Sequence, residues 1–287
     1  MATILPDPRT VRVAGCDIRY VRTGSGTPLV LLHPLRTQLE YFHPLMKELD
    51  TARFEVIAVD LPGHGHSDAP PVDYTACYFT DTVEALLESL DLHGAVVVGE
   101  SIGASIALIL AGRRSRRLTR VVALNPYDYG QRGGIRRSSA LANLVFTTRL
   151  WPGLGSLVAQ VGNKAVLRRI LQGGVYDRVD LPATLVDALH DSGRRPGHAR
   201  AFRSLIRNWR TWIAARAGYG AIAVPVVLSY GVDDWSRPAE RDANVRAIPG
   251  VHAVTLPACG HFSSLDRPGD VARVIQNDTW QSEAPLQ

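Results

Sequence analysis

Residues 96–105 read Val-Val-Val-Gly-Glu-Ser-Ile-Gly-Ala-Ser. The valines, with Ala95 before them, form an apolar run of the kind buried on both faces of a parallel sheet. From Ser101 to Ala111 the chain is small and apolar nearly all round, as in a buried helix. A serine between two glycines joins the two. A strand that turns into a helix over so few residues brings the two backbones into close approach. Gly99 and Gly103 lack the Cβ atoms that would collide there. Such a turn restricts the chain to folds in which a buried strand feeds directly into a helix, and it lifts the Ser101 hydroxyl above the strand end. A glycine-flanked serine that merely caps a helix gives the same residues without chemistry. The partners of Ser101 decide between the two readings.

The surrounding sequence alternates in the same way. Val11–Val13 and Ile18–Val21 read as an opening hairpin about Gly15. Apolar runs at 28–32, 54–59, 95–98, 120–124, 224–229 and 252–256 read as six further strands. Most are separated by segments of helix length, the pattern of βαβ units and a mostly parallel sheet with helices on both faces. Phe79, Val83, Leu86, Leu87 and Leu90 fall on one helical stripe. Segments 238–247 and 268–276 each begin at a proline, which suits a first helical turn. The alternation stops between residues 127 and 217, where helical patterns, glycines and Trp151, Trp209 and Trp212 replace strands. We read residues 1–126 and 218–287 as one α/β core and 127–217 as a helical cap inserted within that single domain. The tail 281–287 reads as frayed.

In an open parallel sheet, sites form outside the carboxyl ends of the strands. Ser101 stands at one such end. A hydroxyl needs a base at neutral pH, and the base needs an acid to orient it. His261, in Ala258-Cys-Gly-His-Phe262, follows the last strand. Asp233 and Asp234 follow the strand before it. The order serine, acid, histidine is the one this topology produces. Asp60, His64, His66 and Asp68 resemble metal ligands in their spacing, but they equally fit a glycine-rich turn leaving a strand, and no metal is assigned to them. Cys259 reads as a small buried thiol.

Taken together, Leu31-Leu-His-Pro34, Asp60-Leu-Pro-Gly-His-Gly-His-Ser-Asp68, Gly99-Glu-Ser-Ile-Gly103, Gly231-Val-Asp-Asp234 and Gly260-His-Phe262 with Asp266-Arg-Pro268 resemble the α/β-hydrolase superfamily. The likeness is to its small serine esterases and cofactor-free perhydrolases and spans about residues 10–280. It implies a mostly parallel eight-stranded sheet and a catalytic triad of Ser101, Asp234 and His261. The family's acid stands three residues after the strand-ending glycine, which selects Asp234 over Asp233. The family's oxyanion hole draws on the amide after the nucleophile, here Ile102, and on the loop after the third strand, here Leu35. This chain departs from the family's His-Gly in having His33-Pro34. Proline has no N–H to donate, so Leu35 is the remaining donor, and His33 reads as a structural residue beneath the loop.

The resemblance implies a serine hydrolase that cleaves a carboxylic ester or thioester through an acyl-enzyme, without a cofactor. The same triad serves acyltransferases, perhydrolases and C–C bond hydrolases, and the scaffold also serves as a low-turnover small-molecule receptor. Serine in place of aspartate at the elbow argues against dehalogenase and epoxide hydrolase chemistry. No Gly-x-Gly-x-x-Gly opens the first βα unit, so no dinucleotide is indicated. Arg36, Trp209 and Trp212 are the candidate substrate contacts; solvation of Arg36 and burial of the tryptophans in the insertion's own core are the alternatives.

Charge sharpens the choice of substrate. The formal net charge is +5, and 30 of the 32 basic residues are arginine. Segment 127–216 holds 15 Lys/Arg against five Asp/Glu. GC-rich coding accounts for arginine in place of lysine; a cationic face over a binding site accounts for where the charge gathers. The expected partner is a small acyl substrate, of anionic character on the second reading. The arginines are spread through helical patterns and do not form a run with aromatics, which argues against nucleic acid. Cys16, Cys77 and Cys259 make an odd, scattered set with no disulfide framework. The start of the chain lacks a basic stretch followed by an apolar run, and no apolar run is long enough to span a bilayer. A cytoplasmic location is the expectation.

Overall fold

A computed structural model describes residues 6–129, 134–140, 142–144, 163–178 and 181–277. Trp151 and the tail 281–287 lie outside the described residues. The eight strands are β1 (Arg9–Val13), β2 (Cys16–Gly24), β3 (Thr27–Leu32), β4 (Phe54–Val59), β5 (Ala95–Glu100), β6 (Leu118–Leu124), β7 (Val226–Gly231) and β8 (His252–Leu256). They form one sheet in the order β1-β2-β4-β3-β5-β6-β7-β8. β2 runs antiparallel to its neighbours β1 and β4; every other pairing is parallel. The opening hairpin turns at Ala14 and Gly15, both with positive φ (47° and 81°), as a tight two-residue turn requires. β7 begins at Val226, two residues later than its apolar run, because Pro225 has no N–H for the ladder.

The register sets up the site. Leu32 lies beside Gly99, Glu100 beside Leu124, and Gly231 beside Leu256. The carboxyl ends of β3, β5, β6, β7 and β8 therefore reach one edge of the sheet. β3, β5 and β7 are buried along most of their length, with Leu29–Leu32 and Val97–Val98 fully so. This is the reason their sequences read as continuous apolar runs.

Helices α1 (His43–Glu48), α2 (Ala76–Ser89) and α3 (Ile102–Gly112) cover the first half of the sheet. α2 starts where the Thr75 side chain accepts a hydrogen bond from the Tyr78 amide (3.1 Å), and it buries Phe79, Val83, Leu86 and Leu87. In α3 every residue from Ile102 to Ala111 is buried. Between β6 and β7 the described residues contain no strand. They form α4 (Lys164–Leu171), α5 (Ala183–Ser192), α6 (His198–Arg207) and α7 (Trp209–Ala215). α6 buries Ala201, Phe202, Leu205 and Ile206, while Arg200, Arg203 and Arg207 lie on its outer side. This helical segment is tied to the loops around the sheet edge. The Tyr74 amide donates to Ser204 Oγ (3.0 Å), the Ala76 amide to Thr211 Oγ1 (3.0 Å), and the Ser192 hydroxyl to Gln38 Oε1 (2.6 Å). After β7, α8 (Pro238–Ala247), α9 (Ser263–Asp266) and α10 (Pro268–Gln276) complete the fold. The prolines of α8 and α10 each stand at the first helical position.

Candidate active site

Ser101 occupies the turn between β5 and α3 with φ 58° and ψ −115°, a backbone conformation that side chains other than glycine rarely adopt. The turn is tight in the way the glycines require. A methyl group on Gly99 would overlap the Gly103 carbonyl, and one on Gly103 would overlap the Leu32 carbonyl of the adjacent strand. The strained serine is held by its own backbone. Its amide donates to the Leu124 carbonyl (2.9 Å), and its carbonyl accepts from the amides of Ser105 and Tyr127 (both 3.1 Å).

His261 follows β8 and is 1% exposed. Its Nδ1 lies 2.5 Å from Asp234 Oδ1. The other Asp234 oxygen accepts from the Ser236 amide (2.9 Å) and from the Ser236 hydroxyl. Burial pushes the Asp234 carboxyl up, but the pull of His261 and the Ser236 hydrogen bonds outweighs it, and the group sits below the usual carboxylate range. With Nδ1–H donating to the carboxylate, the hydrogen-bond network leaves Nε2 as the free acceptor. That atom is buried and has no partner among the described residues. Asp233 is exposed, and its amide donates to the Cys259 carbonyl (3.0 Å). The structure thus brings Asp234 and His261 into contact; between Ser101 and His261 there is no hydrogen bond among the described residues.

The amide of Ile102 is the first of α3 and has no carbonyl four residues back in the helix. The loop after β3 is shaped by His33. The Leu61 amide donates to His33 Nε2 (3.0 Å), so Nδ1 carries the proton and donates to the Pro34 carbonyl (2.8 Å). The Thr37 hydroxyl donates to the same carbonyl (2.8 Å). Full burial depresses the His33 imidazole to about 4, so it stays neutral. The Thr37 amide closes a turn onto Pro34 O (3.2 Å) with Arg36 at φ 62°. Leu35 is the second residue of that turn, and its amide is not engaged by the turn's own hydrogen bond.

The remaining candidates lie in the helical segment or against it. The Arg36 guanidinium is stacked on Phe202 of α6, 5.0 Å from the ring centre, and lies against Gly193. Trp212 is buried against Phe79 (5.7 Å) and Tyr127 (6.5 Å), whereas half-buried Trp209 has the Arg210 guanidinium over its ring. Asp60 works inside its turn. It accepts from the amides of Leu39 and His66 (both 2.8 Å) and pairs with Arg19. A groove of about 600 Å³ lined by His43, Lys47, Thr184 and Leu185 holds none of Ser101, Asp234 or His261.

Three residues that the sequence reading passed over bind this edge together. Asn125, at the end of β6, donates through Nδ2 to the His261 carbonyl (2.9 Å) and to Ser263 Oγ (2.8 Å). Its Oδ1 accepts from the Gly231 amide (2.9 Å). Glu100, next to Ser101, accepts from the Ser263 amide (2.5 Å) and the Ser264 hydroxyl (2.6 Å). Its burial raises it to about 8. Trp235 stacks on the His261 ring. The available signals were a carboxylate at the end of a wholly apolar strand, an asparagine-proline pair at a strand terminus, and an aromatic beside the aspartate.

These features define the class, and comparison with known proteins agrees. The chain belongs to the family described as the alpha/beta hydrolase fold, whose model matches residues 27–268. It is 24% identical to 2-hydroxymuconate semialdehyde hydrolase of Pseudomonas sp. (strain CF600), over 96% of this chain and 95% of that one. It is 25% identical to 2-(acetamidomethylene)succinate hydrolase of Mesorhizobium japonicum, over 94% of each chain. Among solved structures, Cfl2 from Burkholderia cenocepacia superposes with a TM-score of 0.80 at 21% identity, covering 94% of both chains. No helix among the described residues is long and apolar enough to cross a membrane.

Proposed function

We propose that the protein is a serine hydrolase that cleaves a carboxylic ester or thioester, with Ser101 as nucleophile, His261 as base and Asp234 as the orienting acid. One observation carries the reading. His261 is fixed through Nδ1 to a buried carboxylate while its buried Nε2 stays unpartnered at the edge where the Ser101 turn stands. A neutral imidazole so held takes a proton at Nε2, and Asp234 stabilises the cation that results. Ser101 Oγ attacks the acyl carbon as its proton passes to His261. His261 then returns that proton to the leaving alcohol or thiol, and water repeats the sequence to release the acid. The Ile102 and Leu35 amides meet the developing oxyanion, Pro34 being unable to. Arg36 supplies a cation beside the oxyanion loop, whereas Trp212 is spent on the core it packs into with Phe79.

A panel of chromogenic esters of graded chain length tests this, with Ser101→Ala as control. Serine-dependent turnover supports it; tight binding with no turnover in either protein overturns it in favour of a receptor. A C–C bond hydrolase is the second reading, favoured by full-length similarity to 2-hydroxymuconate semialdehyde hydrolase. Turnover of that compound faster than any ester in the panel selects it. Both relatives act on carboxylate-bearing compounds by name, which fits the arginine excess of segment 127–216.

A further inference from the structure

Trp235 directly follows Asp234, and its indole lies flat on the His261 imidazole. The ring centres are 3.9 Å apart and the planes 14° from parallel. We propose that Trp235 is a positioning residue for His261, whose ring face sets the imidazole plane and receives positive charge when Nε2 takes a proton. The inference rests on the hydrolytic reading of Ser101, Asp234 and His261 and adds to it.

The imidazole turns only about its Cβ–Cγ bond, and the hydrogen bond at Nδ1 restrains that turn from one edge of the ring. A flat partner on one face narrows the swing that remains, and Phe262, with its ring centre 5.6 Å away, bounds the ring from another side. The direction of Nε2 is then determined. An indole face is the best aromatic surface for a cation, and in this mechanism the imidazole becomes one in every catalytic cycle.

The indole is itself held at several points. Its Nε1–H donates to the Gly173 carbonyl (2.9 Å). Its main-chain carbonyl accepts from Arg137 Nη1 (2.8 Å), and Arg137 is paired with Glu240. The Phe262 ring meets it edge-on at 5.8 Å. The Phe262 amide in turn donates to the Gly174 carbonyl (2.9 Å). Both aromatic neighbours of the imidazole are therefore fastened to Gly173 and Gly174, in the segment between β6 and β7, and the placement of that segment is passed to the base. The ionisable groups around the imidazole are Asp234 on Nδ1, Tyr129 near Asp234, Arg137, Arg241 on Ser236, Glu100 under the next turn, and Cys259 and Asp266 of its own loop. None of them is removed by changing Trp235.

The test is the rate of fluorophosphonate labelling of Ser101 in the full chain, which needs no knowledge of the substrate. Trp235→Leu keeps apolar cover without a π face; Trp235→Phe keeps a smaller one. We expect labelling to slow about ten- to a hundredfold in Trp235→Leu, the penalty of a misdirected reacting group. In Trp235→Phe it stays within about threefold of wild type. The strongly deshielded Nδ1 proton resonance persists in wild type and Trp235→Phe and broadens in Trp235→Leu. Should Trp235→Leu fail to fold, Trp235→Met replaces it. Equal rates in all folded proteins, or equal losses with Phe and Leu, overturn the inference. Absence of labelling in wild type overturns the hydrolytic reading itself and this inference with it.

Discussion

The carboxyl edge of the sheet and the helical segment between β6 and β7 are held together by different forces. At the edge, polar groups are buried and bonded. Asn125 links the loops that carry Asp234 and His261, Glu100 links the residue before Ser101 to the turn after His261, and His33 pins the loop of Leu35. Each bond lies where water is excluded, so losing one leaves an unsatisfied partner, which costs more than the bond contributes. The helical segment is amphipathic. It buries Phe202, Leu205 and Trp212 inward, and Arg168, Arg169, Arg200 and Arg207 are exposed on it. An edge of this kind fixes geometry; on the proposed reading, the helical segment influences what reaches it. The contrast predicts that chemistry fails with changes at the edge and that selectivity fails with changes in the cover.

The largest effect belongs to the edge. Ser101→Ala should lower kcat on any ester substrate by about 10⁴-fold or more, and His261→Ala should abolish fluorophosphonate labelling. A Ser101→Ala protein that retains a tenth of the activity would break the contrast at its centre. Next in size is Gly103→Ala. With the Leu32 carbonyl in the way, it should destabilise by about 1–3 kcal/mol, read as a lower urea midpoint at constant m-value. An unchanged midpoint would mean that the backbones have room to separate.

The third prediction concerns pH. Glu100 is raised to about 8 in the folded protein, far above an exposed glutamate. A raised folded value stabilises the fold at low pH and is lost as pH rises through it. Wild-type Tm should therefore fall between about pH 5 and 9, and Glu100→Gln, which keeps an acceptor without the charge, should flatten that slope. A slope unchanged in Glu100→Gln would assign it to another group. The smallest effect belongs to the cover. If its arginines attract an anionic substrate, raising salt from low to physiological strength should increase KM for anionic esters severalfold, by screening, and leave neutral esters unchanged. Equal shifts for both would remove charge from the account of selectivity.

The same division governs what the sequence makes legible. The central strands β3 to β7 are buried along most of their length, so their apolar runs stand out, and βαβ alternation orders them. The places of Ser101, Asp234 and His261 at one edge of the sheet are legible because each follows a strand by a few residues. The choice of Asp234 over Asp233 needed the family's spacing, since period and burial alone do not separate adjacent residues. Asn125, Glu100 and Trp235 stayed hidden because their partners are far away along the chain, and contacts of that range leave no local pattern. The helices of the inserted segment were legible as helices, but not which face meets the core. Arg36 also lies on Phe202 of α6, a contact that no spacing in the sequence encodes.

The elbow at Ser101 acquires a further meaning when the protein is being made. The β5–α3 turn emerges from the ribosome well before Asp234 and His261, and the whole run of helices between β6 and β7 must be synthesised in the interval. On the proposed reading, the base and its acid are supplied only once β7 and β8 have been synthesised, so the constellation is completed by the last part of the sheet to be made.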